Sequence, residues 1–436
     1  MFIWIVIWLK LWRSKRENFD YSCQMDFRVV ILWVLLVMAG GCAFWWITVA
    51  IRVARDLPRI PRIGQGLAFA LPPGEPLVSV VIPAHNEEKH APGCIESILR
   101  STYTNIEVIV VLDRCTDATR ANLQPIAARE ARLKLIDNES CPKDWAGKCN
   151  AGRVGAEQAK GAYVLFTDAD VEFSPQLIRA SMGMLNERGL QLLSLMSTPR
   201  IRHWFEAVVQ PVAVMELMRM FPVAQVNRAQ NPRYFANGQF MLFEREAYDK
   251  LGGHAAVKDD LLEDIAFSRR IKDSGGRGGL AVADGMLMVE MYEKLSEFLQ
   301  GWKRIYIEGS QRKPARLRRS GLIVGVGAAF LPLGSFAALI AGAAWSGQWN
   351  GGSLEPLASA VMWTGLLGTL SFLACAAWIH KLCAAPMLAA FFHPLGGFLI
   401  ARCFFGAAED LINRTPVRWG GREYILEPRS RKLVKQ

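Results

Sequence analysis

Two stretches decide the fold: Leu77-Val-Ser-Val-Val-Ile-Pro-Ala-His-Asn-Glu-Glu88 and Ile106-Glu-Val-Ile-Val-Val-Leu-Asp113. Each opens as a short β-branched run, apolar at consecutive positions rather than at alternate ones. That pattern belongs to strands covered on both faces, the usual condition of a parallel sheet. Helical stretches follow each run, near Gly93 to Arg100 and Asp117 to Glu130. Beyond them, Leu133 to Ile136 reads as another strand, Lys148 to Lys160 as a helix and Ala162 to Phe166 as a further strand. Strands and helices alternating at this spacing predict an α/β domain with a mostly parallel, doubly wound sheet.

In such a sheet, ligands gather beyond the carboxyl ends of the strands. Acidic residues fall there in this chain. Asp113 closes the second run, and Thr167-Asp-Ala-Asp170 closes the last one. Two aspartates one residue apart suit Mg2+ or Mn2+, hard cations that prefer oxygen donors and complete their shell with substrate phosphates. An Asp-rich turn without a ligand is the plainer reading of the pair alone. Lys148 follows Gly147 at an expected helix start, where backbone N–H groups and an ammonium both suit an anion. Glu263-Asp264 opens a later helical stretch, as an acidic N-cap or as a proton acceptor. The histidines show no ligand spacing, so His254 and His393 read as structural, and Met215, Met218 and Met220 as packing residues.

Taken in order, Pro83-Ala-His-Asn-Glu-Glu88, Asp113-Arg-Cys-Thr-Asp-Ala-Thr119, Thr167-Asp-Ala-Asp170 and Glu263-Asp264 resemble the family-2 glycosyltransferases. The resemblance covers about residues 77 to 310 and implies the nucleotide-diphosphosugar (GT-A) fold. Within that family the chain looks nearest to membrane-bound enzymes associated with hopanoid and carotenoid pathways. That likeness rests on Trp145-Ala-Gly-Lys148, Ala236-Asn-Gly-Gln239, Gly252-Gly253, Met291-Tyr292 and Gly301-Trp302.

The resemblance also implies roles. Pro83, Ala84 and Glu87 would line the base and ribose pocket of a nucleotide-diphosphosugar donor, and Asp113 would hydrogen-bond the base, typically uracil. Family members commonly carry a second Asp just before it; here that residue is Leu112. Asp168 would touch the ribose and share with Asp170 a Mg2+ or Mn2+ that bridges the diphosphate, while Lys148 would meet the anionic donor. Asp264 would be the general base of an inverting transfer, with Glu263 orienting it or the acceptor. Polymerising members carry Gln-x-x-Arg-Trp where this chain reads Gln300-Gly-Trp-Lys-Arg304. Lys303 and Arg304 would still meet the diphosphate, and the missing tryptophan favours single transfer over a polymer held on an aromatic platform.

Apolar runs bracket this domain. Residues 27–51 form a transmembrane helix candidate, with 1–26 an upstream extension or interfacial segment. Residues 52–76 read as a basic Pro/Gly linker, and 322–345 and 356–379 as two more transmembrane helices. A third C-terminal run, 384–408, is interrupted by His393-Pro394 and Gly396-Gly397; a basic tail, 409–436, follows it. The formal charge is +11, and its excess clusters at Arg52, Arg55, Arg59 and Arg62 and again at Arg312, Lys313, Arg316, Arg318 and Arg319. Basic clusters beside apolar runs suit a membrane flank rather than nucleic acid, and they predict a catalytic domain on the cytoplasmic face of the inner membrane. The basic tail favours a re-entrant or interfacial third run over a spanning one. Trp204 to Val226 reads either as an interfacial helix or as a core helix. Nine cysteines without a CxxC pair read as reduced thiols.

The expected activity is metal-dependent, inverting transfer of a single sugar to a lipid-type acceptor. Its rivals are a processive polysaccharide synthase and a non-catalytic membrane scaffold.

Overall fold

The computed structural model describes residues 27–228, 234–260, 262–346, 354–419 and 422–428. The expected 1–26 segment and the end of the basic tail lie outside the described residues. The chain divides into two compact units, Met1–Trp46 with Leu331–Phe372, and Ile47–Phe330 with Leu373–Gln436.

Three helices supply the first unit: the start of α1 (Phe27–Asp56), α10 (Leu331–Ser346) and the first part of α11 (Glu355–Leu382). They approach closely because glycines face one another's backbones. A Cβ on Gly342 would lie 2.4 Å from the Met362 nitrogen, and one on Gly365 would lie 2.4 Å from the Leu339 nitrogen. Ser335 Oγ donates to the Gly365 carbonyl at 3.0 Å. Small residues and hydroxyl bonds of this kind hold helices together where apolar surface alone gives no drive to associate.

The second unit is the α/β domain. Its main sheet joins β1 (Val78–Ala84), β2 (Ile106–Asp113), β3 (Leu133–Asn138), β4 (Tyr163–Phe166), β6 (Leu192–Met196), β8 (Met241–Glu244) and β9 (Gly278–Val282) in the order β3-β2-β1-β4-β8-β6-β9. A small sheet of β5 (Val171–Phe173), β7 (Thr198–Pro199) and β10 (Leu287–Val289) lies beyond β4 in the chain. The helices of nine residues or more in this unit are α2 (Ala91–Leu99), α3 (Thr119–Arg129), α4 (Gly147–Gln158), α5 (Leu177–Arg188), α6 (Trp204–Met220), α7 (Glu263–Asp273), α8 (Leu295–Gly309), α9 (Pro314–Val324) and α12 (His393–Ile412). Both faces of β1 and β2 are buried, as their consecutive apolar residues require.

The sheet departs from parallel at one place. β8 runs antiparallel to both β4 and β6. Its start, rather than its end, therefore lies beside the carboxyl end of β4, and this reversal brings Asn237, Gly238 and Gln239 to the ligand edge. The expected strands near 78, 106, 133 and 163 are present within two residues of their predicted bounds, whereas β6, β8 and β9 were not anticipated.

The expected linker is not loose. Ile63 is buried in the main core, and the Pro61 carbonyl accepts from the Val282 N–H at 2.8 Å. The Arg179 guanidinium donates to the carbonyls of Gly66 at 3.3 Å and Phe69 at 3.1 Å. Gly66 lies so near α5 that a Cβ there would sit 1.9 Å from the Ala180 oxygen. Here the Pro/Gly composition serves close packing rather than flexibility.

The third C-terminal run also differs from its expected form. A 3-10 turn, Met387–Phe392, leads into an unbroken α12. Pro394 stands in the first turn, where its missing N–H costs nothing. Gly396 and Gly397 are contact points, not breaks: Cβ atoms there would meet the Val208 carbonyl at 2.5 Å and Ala328 at 2.9 Å. One face of α12 packs on α6, α8 and α9, with Phe404 stacked on Tyr306 at 3.9 Å. Its other face leaves Leu395, Phe398 and Phe405 exposed. α6 is correspondingly an interior helix, burying Phe205, Val209, Val212 and Leu217.

Two alanine substitutions separate packing from flexibility in the 52–76 segment. Gly66→Ala should destabilise the protein by about 1–3 kcal/mol, the usual cost of overpacking. Gly64→Ala, where a Cβ would meet nothing within 4 Å, should be close to neutral in the same melting experiment.

Candidate active site

The carboxyl end of β4, the start of β8 and the first turns of α4 and α7 converge on one cluster of charge. Lys148 Nζ lies 2.6 Å from Asp168 Oδ1 and 2.8 Å from Glu263 Oε1. Glu263 is 3% exposed and the lysine side chain 19%, so one ammonium is shared by two carboxylates largely out of water. Burial alone would pull the Lys148 pKa down, but Asp168 and Glu263 outweigh it and hold the ammonium charged. Lys148 is reached by α4 because Gly147 begins that helix without a side chain; a Cβ there would lie 2.8 Å from Arg114 Nη2.

Asp264 stands beside this cluster. Its Oδ2 accepts from the Gly238 N–H at 2.8 Å and its Oδ1 from the Ile265 N–H at 2.7 Å. Burial and the neighbouring Glu263 raise its pKa to about 7, against Lys148 and those two N–H donors. A carboxyl poised near neutrality suits proton acceptance. Gly238 stands in the Ala236-Asn-Gly-Gln239 motif, to which the sequence reading gave no role in the site. A Cβ there would crowd Lys148 Nζ at 2.8 Å and Glu263 Oε1 at 3.2 Å. An Asn-Gly turn was the available signal. Asn237 and Gln239 hold that turn: Asn237 donates to the Leu195 carbonyl at 3.1 Å, and Thr167 Oγ1 donates to the Gln239 carbonyl at 2.7 Å.

Asp170 is the test of a metal site. Its Oδ1 is buried without a hydrogen-bond partner, and burial pushes its pKa well above the carboxylate range, with Asp168 and Glu87 adding to the shift and Lys148 opposing it. Glu87 is raised to about 7 by burial, Asp168 and Asp117. Several carboxylates with one shared ammonium leave a deficit of positive charge that a divalent cation would fill. Among the described residues, no three His, Cys, Asp or Glu side chains form a ligand cluster. The residues present therefore fit a cation whose shell is completed by a ligand's phosphates, with Asp170 the free carboxylate and Asp168 shared with Lys148.

The remaining predicted residues divide. Asp113 is buried, and its carboxylate already receives Arg114 Nη2 at 2.6 Å and Asn138 Nδ2 at 2.7 Å. His85 Nδ1 lies 2.6 Å from the Asp113 carbonyl, and the Glu87 N–H donates to Thr119 Oγ1 at 2.8 Å, so the loops after β1 and β2 are pinned together. Pro83 is half-buried and pairs with Val111, while Ala84 is fully buried. Arg304 and Lys303 part company. Burial raises the pKa of Tyr292, and the charge of Arg304 opposes that shift. Lys303 turns to Asp410 of α12, 2.7 Å away, and so does not reach the cleft as the resemblance implied. Gly301 makes room for Tyr292, whose hydroxyl would lie 2.0 Å from a Cβ there. His254 is structural as expected: its ring is buried beside Tyr248, with burial and Lys148 lowering its pKa to about 3.

Part of this cluster lies in a segment that resembles known proteins. Residues 79–252 match the profile described as glycosyl transferase family 2. That segment belongs to glycosyl transferase family 2. An uncharacterized glycosyltransferase of Haemophilus influenzae is 37% identical over 112 residues, covering 26% of this chain and 33% of that protein. The 4,4'-diaponeurosporenoate glycosyltransferase of Staphylococcus aureus is 28% identical over 198 residues, 44% of this chain and 50% of that protein. Alignments to the first curated relatives span 26–36% of those proteins' lengths. Among solved structures, the mannosyltransferase PcManGT of Pyrobaculum calidifontis, in complex with GDP-Man and Mn2+, superposes with a TM-score of 0.48 at 17% identity, covering 87% of this chain and 98% of that one. The family segment contains Lys148, Asp168, Asp170 and Gly238 and ends before the Glu263-Asp264 pair.

Lys148→Met tests the charge cluster by stability. Removing the ammonium strands two carboxylates, and breaking a buried pair costs about 3–5 kcal/mol. Denaturation of Lys148→Met should show that loss, and adding Glu263→Gln should recover part of it.

Proposed function

We propose that this chain is a glycosyltransferase that moves one sugar from a nucleotide-diphosphosugar to a lipid-type acceptor at the cytoplasmic membrane face. The observation that carries the reading is the convergence of Lys148, Asp168, Asp170, Glu263 and Asp264 on the ligand edge of a family-2 sheet. In this reading Asp264 takes the proton of the acceptor hydroxyl as it attacks the anomeric carbon, while the nucleoside diphosphate leaves from the opposite face. Inversion follows, and no protein nucleophile is needed. Asp170, with Asp168, would hold Mg2+ or Mn2+, which offsets charge developing on the leaving diphosphate. Lys148 keeps Asp168 and Glu263 ionised and fixed, and the Gly238 N–H aims the Asp264 carboxylate.

Single transfer is favoured over polymerisation. Trp302, the tryptophan within the altered motif, is buried against Phe298 and Tyr306, so it offers no platform for a sugar chain. A lipid acceptor is favoured by the helical stretches long and apolar enough to cross a membrane, five among the described residues, of which the one containing α6 is interior. It is favoured also by the exposed apolar face of α12, which is continuous with the catalytic unit through α6 and α8. The basic flanks suit anionic headgroups on the cytoplasmic side.

Purified protein in lipid bilayers, given labelled UDP- and GDP-sugars with and without Mn2+, tests the activity, and mass spectrometry of the lipid product tests the acceptor. Asp170→Asn should abolish metal-dependent donor binding; donor binding at full strength in EDTA would remove the metal from the mechanism.

Asp264 supplies a pH prediction. Its carboxyl is the active base only when ionised, and its raised pKa places that change at about 7. Activity should therefore fall as pH drops through 7 and level off above it. Asp264→Asn should keep donor affinity but lose turnover by about two to four decades. A Glu263→Gln variant that loses more than Asp264→Asn would exchange their roles.

A further inference from the structure

The chain returns to the donor cleft after α12. A short hairpin pairs Val417–Trp419 with Arg422–Tyr424, and just beyond it Leu426 is buried in the cluster that holds Phe298, Trp302 and Tyr306. The hairpin's last residue reaches the cleft. The Gly147 N–H, at the first residue of α4, donates to the Tyr424 hydroxyl at 3.3 Å. Arg114, whose guanidinium lies against Gly147 and pairs with Asp113, senses Tyr424 as well. Gly147 is separated from Tyr424 by 277 residues, so nothing local to either sequence announces the contact.

Tyr424 therefore occupies a place with a second use. The N–H groups of an α4 start, flanked by Lys148 and Arg114, are what an anionic ligand would take. A hydrogen bond from an N–H to a charged phosphate oxygen is roughly twice as strong as one to a neutral phenol. The described contacts of the hairpin include this bond, buried Leu426, the half-buried Val417 and Tyr424 packed on the same cluster, and an exposed Arg414–Glu427 pair at 3.5 Å.

We propose that the tail strand is a latch on the donor cleft, in which Tyr424 and the anionic part of a nucleotide-sugar compete for the Gly147 N–H, so that donor binding releases the tail. This rests on reading the cleft as a donor site. Tyr424 acts here as a positioning residue that sets the effective donor affinity.

The test uses the full-length chain in lipid bilayers, with uridine and guanosine diphosphates as probes. Tyr424→Phe removes the hydroxyl and keeps the ring. It should tighten nucleoside-diphosphate binding, measured by calorimetry, by about two- to tenfold, the range of one neutral hydrogen bond. Leu426→Ala loosens the strap while leaving the phenol in place and should shift affinity in the same direction. Hydrogen–deuterium exchange in the 422–428 peptide of the unmutated protein should quicken when nucleotide saturates the cleft. Unchanged or weaker binding in Tyr424→Phe, or exchange that slows or stays constant, would overturn the latch while leaving the donor site intact. If neither nucleotide binds the unmutated protein at all, the donor-site reading fails first and the latch falls with it.

Discussion

One ammonium group organises the catalytic unit. Lys148 joins the first turn of α4, the loop after β4 and the first turn of α7, three places far apart in sequence. Without it, Asp168 and Glu263 would face Asp170 and Asp264 as an uncompensated acidic cluster. With it, two carboxylates are committed to a pair, while Asp170 and Asp264 stay raised in pKa and open to other partners. This division of labour follows from position. Asp168 and Glu263 lie against the lysine, one oxygen of Asp170 is buried without a hydrogen-bond partner, and Asp264 takes backbone N–H groups instead.

The same division explains which parts were legible in the sequence. β1 to β4 could be read because consecutive β-branched runs state both strand and burial, and the acidic residues at their ends follow from the general rule for ligand edges. The second half of the sheet was opaque. β8 is four residues long and runs against its neighbours, so neither its length nor its direction has a local signature. Its consequence, the delivery of Gly238 to Asp264, was hidden with it. Lys303 misled for a related reason. Adjacent basic residues on a helix point about a quarter-turn or more apart, and α8 has the cleft on one side and α12 on another. Lys303 is on the side of α12.

Glycine was the residue most open to misreading. In the 52–76 segment and in the third apolar run, glycines looked like flexibility and interruption. At Gly66, Gly396 and Gly397 they are instead places where two backbones nearly touch. Composition cannot separate the two uses, because a missing Cβ permits both a free chain and a close approach. The distinction lies in what stands opposite, and that is a tertiary fact. Gly64, two residues from Gly66 in the same segment, faces open space.

The close approaches have a mechanical consequence for the cleft. α8 carries Tyr292's notch at Gly301, and it is bonded to α12 by Lys303 and Asp410. α12 in turn is locked to α6 by Gly396 and to the turn after α9 by Gly397. An apolar helix with Leu395, Phe398 and Phe405 facing outward is therefore joined by rigid contacts to the wall of a charged site. Packed helices shift as units rather than bend, because interiors at close-packed density have little slack. The altered Gln300-Gly-Trp-Lys-Arg304 motif thus gains a role different from that of an aromatic platform. Its tryptophan packs the core, and Lys303 pairs with Asp410 of the apolar helix.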